Sequence, residues 1–296
     1  METTNEPLQN KGDEKLSLVT FQQLRDLIYE KCGIFYAENK KYLVENRLTR
    51  RLEEFGFKTF EEYLYFLKYD SRRNHELSFL FDAITTNETS FFRNPPQLEA
   101  FEKGVLPLVI ENCRKSSNNR IRIWSSASST GEEPYTLAII LLENRVIMSG
   151  ISTEIMASDI SEGVLTSARK GVYGTNSIRS TSKYLIDKYF TVNSDTYTIK
   201  PEIKNMVKFS NINLYDQLKM KTMKGFDVIF CRNVLIYFDE KAKKQIIASL
   251  YDSLNPNGYL FIGHSETLHN ISRAFKLVNF NRMPVYKKEW AVRSKQ

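Results

Sequence analysis

The sequence predicts an α/β protein with an all-α segment in front, and three observations carry that prediction. Across residues 18–82 the apolar positions recur at helical spacing, with no strand-like run among them. From residue 121 onward the short apolar runs IRIW, IMASDI, FDVIFC and YLFIG alternate with amphipathic helical stretches, the pattern of a largely parallel sheet joined by helices. Between the first of those strands and its helix lies SSASSTGEEP, whose small residues let the backbone turn sharply and approach a ligand closely.

Taken in order, residues 1–16 are polar and acid-rich, with no apolar core of the kind a signal peptide needs, and are expected to be a disordered N-terminus. Residues 17–84 form a helical domain: FQQLRDLIYEKCG, ENKKYLVENRLTRRLEEFG, TFEEYLYFLKYD and NHELSFLFDAI each read as a helix. Gly33 and Gly56 stop the first two, and Thr59 with Glu62 forms a capping box for the third. In the second helix Val44, Leu48, Leu52 and Phe55 make the buried stripe. Arg47, Arg50 and Arg51 share one flank at i, i+3 and i+4, and with Lys40 and Lys41 they form a basic face, which as a bare pattern is also what a solvated surface looks like.

Residues 84–93, ITTNETSFFR, break the helical pattern, and Asn94-Pro95-Pro96 ends the break, so 85–96 is an interdomain segment. The second domain is expected over 97–290, with a tail at 291–296. Its opening helix is followed by the strand IRIW and the small-residue turn, and then by a helix with Pro134 in its first turn and Leu137, Ile140 and Leu141 at core spacing. The second strand ends in Asp159, the helix after it is capped by Ser161 and closed by Gly171, and the alternation in residues 189–209 predicts a small antiparallel β-subdomain. FDVIFC and YLFIG are buried strands separated by a long helix and the turn Asn255-Pro256-Asn257-Gly258, and residues 275–278 and 284–287 supply an antiparallel edge.

Composition narrows the function classes. A length of 296 residues with 42% hydrophobic content can bury two cores, and a net charge of +7 suggests an acidic partner, an acidic protein helix as much as a nucleic acid. Cys32, Cys113 and Cys231 are widely spaced with no CxxC pair, which suits a reducing compartment. His75, His264 and His269 are too scattered for a metal triad, so no metal is expected. No run reaches membrane-spanning length, so no membrane insertion is expected and the protein is read as cytoplasmic.

The turn carries two acids, Glu132 and Glu133, where a phosphate-binding loop would carry a lysine or a GxGxxG run. Carboxylates repel phosphate but accept hydrogen bonds from ammonium and hydroxyl groups, which fits a zwitterionic nucleoside such as S-adenosylmethionine. Acids at a helix N-terminus also simply complement the helix dipole, and this stretch alone leaves both readings open. Asp159, at the end of the second strand, is placed to accept from ribose hydroxyls.

Together, TTNETSFFR, RIWSSASSTGEEPYTLA, ASDIS, FDVIFCRNVLIYFD and GYLFIGHSETL resemble the chemotaxis receptor glutamate methyltransferases, the CheR-type family, in order and spacing across residues 21–286. The resemblance implies an α/β, Rossmann-like S-adenosylmethionine-dependent methyltransferase domain with a small antiparallel β-subdomain, preceded by the all-α domain. It implies cofactor contacts at Asn87, Thr89, Arg93, Glu133, Asp159, Asn213, Leu214, Arg232 and Asn233. Arg93 and Tyr237 fall nearest the transferred methyl and the substrate carboxylate, and Arg47, Arg50 and Arg51 face the substrate. The implied partner is the cytoplasmic helices of methyl-accepting receptors, the product S-adenosylhomocysteine, and the protein a monomer that does not act on nucleic acid. Two departures stand out: the turn leaves only Gly131 with free φ, and the basic helix continues into Glu53 and Glu54.

Two other classes compete. A nucleic-acid methyltransferase is suggested by the charge and by Asn94-Pro95-Pro96, an NPPY mimic, but that motif must follow a core strand and supply a stacking aromatic, and here Gln97 follows. A non-catalytic S-adenosylmethionine-binding receptor scaffold is the other, and the presence of Arg93 and Tyr237 argues against it.

Overall fold

The computed structural model describes residues 15–116 and 119–289, so the tail 291–296 and nearly all of the N-terminal stretch 1–16 lie outside the described residues. The chain divides into two compact units, Met1–Leu27 with Tyr36–Ile84, and Ile28–Phe35 with Thr85–Gln296.

The first unit is helical: α1 (Leu18–Cys32, as far as Leu27), α2 (Lys41–Phe55), α3 (Phe60–Tyr69) and α4 (Arg73–Ile84). Val44, Leu48 and Leu52 are buried, as their spacing requires, whereas Phe55 is exposed and packs its ring on Phe57 and Phe66 at the end of α2. Thr59 caps α3 by accepting the Glu62 N–H at 3.1 Å. The Glu62 carboxylate reaches back one residue further than a capping box predicts, to the Lys58 N–H.

The second unit begins with a strongly anchored segment. Phe91 is fully buried, edge-on to Tyr173 and Phe190, and its N–H donates to the Ser177 carbonyl at 2.8 Å. Burying one phenylalanine side chain contributes roughly 1.5–3 kcal/mol, enough to hold a short loop. Then come α5 (Pro95–Glu99), one π-helical turn over Ala100–Val105, α6 (Leu106–Lys115), β1 (Arg120–Ser125), α7 (Glu132–Glu143), β2 (Ser152–Asp159) and α8 (Glu162–Lys170). Ser161 caps α8 and Gly171 closes it.

A three-stranded antiparallel sheet follows, built from β3 (Val172–Gly174), β4 (Phe190–Asn193) and β5 (Thr196–Ile199) in the order β3-β5-β4, with α9 (Thr175–Ile178) and α10 (Lys183–Tyr189) inside it. After α11 (Pro201–Lys204), β6 (Val207–Asn211) does not join this sheet, contrary to the range 189–209 expected for the β-subdomain. It pairs parallel with β2, Asp159 opposite Asn211, as the edge of the main sheet. Both settings leave one face of the strand half-exposed, so its alternation did not discriminate between them.

The chain finishes with α12 (Gln217–Thr222), β7 (Phe226–Cys231), α13 (Glu240–Ser253), β8 (Leu254–Ile262), β9 (Phe275–Phe280) and β10 (Met283–Lys288). The main sheet has the order β6-β2-β1-β7-β8-β10-β9, parallel through β8 with an antiparallel edge. Asn255-Pro256-Asn257-Gly258 is not a separate turn. It lies inside β8, where the register against β7 shifts between Phe226 and Val228, and Asn257 has a positive φ of 64°.

Candidate active site

The sheet order makes the site. From β1 the chain moves outward to β2 and β6, then returns to β7 and β8 on the other side of β1. At such a reversal the connections at the carboxyl ends of the strands diverge and leave a crevice, where doubly wound folds bind ligands. Ser125, Asp159, Cys231 and Ile262 end the four strands there.

Backbone hydrogen bonds hold the small-residue turn across that crevice. Ser126 N–H donates to the Phe230 carbonyl and Ser128 N–H to the Ser158 carbonyl, each at 2.8 Å. Gly131 has φ +95°, and a Cβ there would lie 2.9 Å from the Ala168 methyl, so neither its conformation nor its surroundings admit a side chain. Ser129 also adopts a positive φ, 48°, although it is not glycine. Such a conformation costs about 1–2 kcal/mol, and the partner that offsets it is Asp159, whose Oδ2 accepts the Ser129 N–H at 2.9 Å. Oδ1 accepts the Ser161 N–H at 3.1 Å.

The two acids of the turn separate sharply. Glu132 points inward, 2% exposed, and takes the hydroxyls of Thr130 and Ser177 at 2.6 and 3.0 Å. Burial raises its carboxyl above the ordinary value. Glu133 faces the strand ends. Ser125 Oγ donates to its Oε1 at 2.7 Å and Arg232 Nη1 to its Oε2 at 3.0 Å.

Arg232 is 7% exposed and spends its donors three ways: Nη1 on Glu133, Nη2 on the Arg93 carbonyl at 2.8 Å, and Nε on Gln97 Oε1 at 2.8 Å. The Gln97 amide closes the network by donating to the Ile262 carbonyl at 2.7 Å. A single buried cation thereby ties together α5, α7 and the ends of β7 and β8. Gln97, Ser125 and Ser129 were not among the expected site residues. A glutamine beside two prolines carries no sequence signal for such a role, whereas the positive φ of Ser129 has no counterpart in residue type at all.

Of the remaining expected residues, Asn87 and Arg93 contact the turn and Arg232 through their carbonyls. The Asn87 carbonyl accepts from Ser129 Oγ at 3.3 Å, Thr89 and Arg93 are half-buried, and Arg93 Nη1 donates to the Glu88 carbonyl at 2.7 Å. Asn213 is braced at both ends of its amide, donating to the Lys31 carbonyl at 2.7 Å and accepting the Tyr215 N–H at 3.0 Å; Leu214 beside it is buried. Asn233 sits in the left-handed region with φ 58°. Tyr237 lies half-buried on the 3-10 turn Leu235–Tyr237. Burial pushes the fully enclosed Cys231 thiol far up, which disqualifies it as a nucleophile.

In the first unit the three arginines of the expected basic face are not equivalent. Arg51 grips Glu76 with two bonds at 2.7 and 2.6 Å, Tyr63 donates to the same carboxylate at 2.8 Å, and the guanidinium lies over the Phe55 and Phe79 rings. Arg47 donates to the Ile84 carbonyl at the end of α4 and to the Tyr36 hydroxyl. Arg50, its side chain 85% exposed, is the cation presented to solvent, with Glu54 four residues on at 3.1 Å. The flank expected to be basic thus carries one exposed arginine beside two that also make contacts within the first unit.

Among the described residues no group of three or more His, Cys, Asp or Glu is placed to hold a metal ion, and no helix is long and apolar enough to cross a membrane.

Residues 87–283 match the family of the CheR methyltransferase SAM binding domain, and residues 20–85 match the CheR methyltransferase all-alpha domain. The chain is similar to the chemotaxis protein methyltransferase of Borreliella burgdorferi, 40% identical over 95% of this chain and 98% of that one. It is also similar to chemotaxis protein methyltransferase 2 of Vibrio cholerae, 37% identical over 90% and 92% of the two chains. The Salmonella typhimurium chemotaxis protein methyltransferase is 37% identical over 88% of each.

Proposed function

This chain belongs to the CheR methyltransferase family and is an S-adenosylmethionine-dependent methyltransferase of chemotaxis receptors, and from that premise we propose the roles of its residues and the chemistry of its acceptor. The acceptor is the side-chain carboxylate of receptor glutamates, and the product a glutamate methyl ester. The observation that carries this reading is the crevice itself, where Asp159 and the paired Glu133 occupy the place that a phosphate-binding loop would give to cations.

The residues present fit S-adenosylmethionine, since Gly131 and the small turn leave room for a close backbone approach and the acids suit a cationic nucleoside. When bound, it supplies a methyl group on a positively charged sulfur, leaving S-adenosylhomocysteine after transfer. Asp159 accepts the ribose hydroxyls. Glu133, Asn87, Thr89, Asn213, Leu214 and Asn233 line the same cradle, while Arg232 holds Glu133 and the Arg93 backbone in place. Arg93 grips the acceptor carboxylate by charge-assisted hydrogen bonds, and Tyr237 orients it.

Little proton transfer is needed. A glutamate side chain, with an ordinary pKa of about 4.3, is already ionised at neutral pH, so the protein contributes alignment and exclusion of water. The same reading makes the protein a cytoplasmic monomer that acts on receptor helices rather than nucleic acid. Its three cysteines, all buried and none joined in a disulfide, suit a reducing compartment.

Incubation with radiolabelled S-adenosylmethionine, receptor membranes and RNA tests the proposal. Base-labile label on receptor is the expected result. Base-stable label on protein would exclude an ester, label on RNA would support the nucleic-acid reading, and none would leave a scaffold.

A further inference from the structure

The GHSE run after β8 has no role in the reading above, yet it is built into the turn that leaves β7. Gly263 and Glu266 close a tight turn, the Glu266 N–H donating to the Gly263 carbonyl at 2.9 Å. The Glu266 side chain folds back so that its Oε2 accepts both the Gly263 N–H and, at 3.1 Å, the Asn233 N–H. A Cβ on Gly263 would lie 2.6 Å from that oxygen and 2.9 Å from the Asn233 nitrogen. Glycine at 263 is therefore what allows the carboxylate to reach under the neighbouring turn.

That neighbouring turn leads into the segment that carries Tyr237. Asn233 holds a positive φ of 58°, and the Leu235–Tyr237 turn follows directly, the Tyr237 N–H donating to the Val234 carbonyl at 3.2 Å. A side-chain carboxylate is a stronger acceptor for the Asn233 N–H than a neutral carbonyl. The other oxygen, Oε1, is buried with no hydrogen-bond partner among the described residues. Such an arrangement carries a desolvation cost that packing alone does not require, and a buried acid oxygen left without a partner calls for a functional explanation.

We infer that Glu266 is a positioning residue for methyl transfer: by clamping the Asn233 N–H it fixes the turn that carries Tyr237 toward the acceptor. The inference rests on the reading of Tyr237 as an acceptor-side residue. Glu266 acts through the turn and touches no reacting atom.

The experiment measures, in the full chain, kcat for base-labile methyl transfer to receptor membranes and the affinity for S-adenosylhomocysteine by calorimetry. Glu266→Ala should lower kcat about tenfold or more and weaken S-adenosylhomocysteine affinity by a smaller factor, because Asn233 on the same turn lines the cofactor cradle while Tyr237 aligns the acceptor. Glu266→Gln, which keeps an acceptor oxygen at the same reach, should restore most of the rate. Should the alanine variant fail to fold, Glu266→Asp retracts the carboxylate by one methylene and should show the same split. Wild-type kcat in Glu266→Ala, or kcat and affinity falling in step with no rescue by Gln, overturns the inference. A wild-type chain that gives no base-labile label overturns the acceptor reading, and this inference with it.

Discussion

Asp159 does two jobs with one carboxylate. It terminates β2 facing the crevice, and it holds Ser129 in a conformation that serine otherwise avoids. Asp159→Ala should therefore weaken S-adenosylmethionine binding by roughly 1.5–3 kcal/mol, the range for hydrogen bonds to a charged group. Unchanged affinity by calorimetry in a folded variant would remove Asp159 from the site. Gln97 is the complementary case, a residue remote from the turn that governs it through Arg232. Gln97→Leu leaves the Arg232 Nε and the Ile262 carbonyl buried without partners, at about 1–3 kcal/mol each. Its Tm should fall and its cofactor affinity weaken as Arg232 loses its hold on Glu133. Gln97→Glu, which still accepts from Arg232, should keep more of that affinity, and a leucine variant matching wild type in both quantities would show the network to be dispensable.

At the scale of the element, α2 shows how tertiary contacts sort residues that spacing makes alike. Arg51 pairs with Glu76, 25 positions away in sequence and 1% exposed, so Arg51→Ala strands a buried carboxylate. Removing one partner of a buried pair costs about 3–5 kcal/mol, and denaturant melts should show a loss of that size. Arg50 is the residue on which to test receptor recognition, because its removal leaves the helix intact. Arg50→Glu should lower receptor methylation at low salt, with stability within about 0.5 kcal/mol of wild type and S-adenosylmethionine affinity unchanged. The difference should shrink as salt shortens the Debye length to about 8 Å at 0.15 M. Methylation at the wild-type rate would make this face an ordinary solvated surface.

For the molecule as a whole, the buried Glu132 links stability to pH. Burial raises its carboxyl above the ordinary value of 4.5, so the folded state binds this proton more tightly than the unfolded chain. Its contribution is fully present below the ordinary value and is lost as pH rises through the raised one. Glu132→Gln, neutral throughout, should gain in Tm over wild type as pH climbs from about 4 toward neutrality, and a gap constant across that range would clear Glu132 of the effect. Residue type and spacing did not separate Glu132 from its neighbour, and only the family resemblance favoured Glu133, since both follow the same glycine at the same helix end and the direction each side chain takes depends on Ser177, Ser125 and Arg232, 45, 8 and 99 positions away. Strand order beyond the first pair was hidden for a related reason. β6 alternates as any edge strand does, and only its pairing with β2 assigns it to the main sheet. What the sequence by itself determined are the features set by neighbours along the chain: the helical first unit with its stops and caps, the small-residue turn between β1 and α7, the acid ending β2, and the motifs that identify the family. What only the tertiary structure decided are the features set by contacts across it, namely the bracing of the site by Gln97, Arg232 and Glu266, the burial of Arg51 and the positive φ of Ser129, because hydrogen-bond partners tens of residues apart meet only once the sheet has brought their strands side by side.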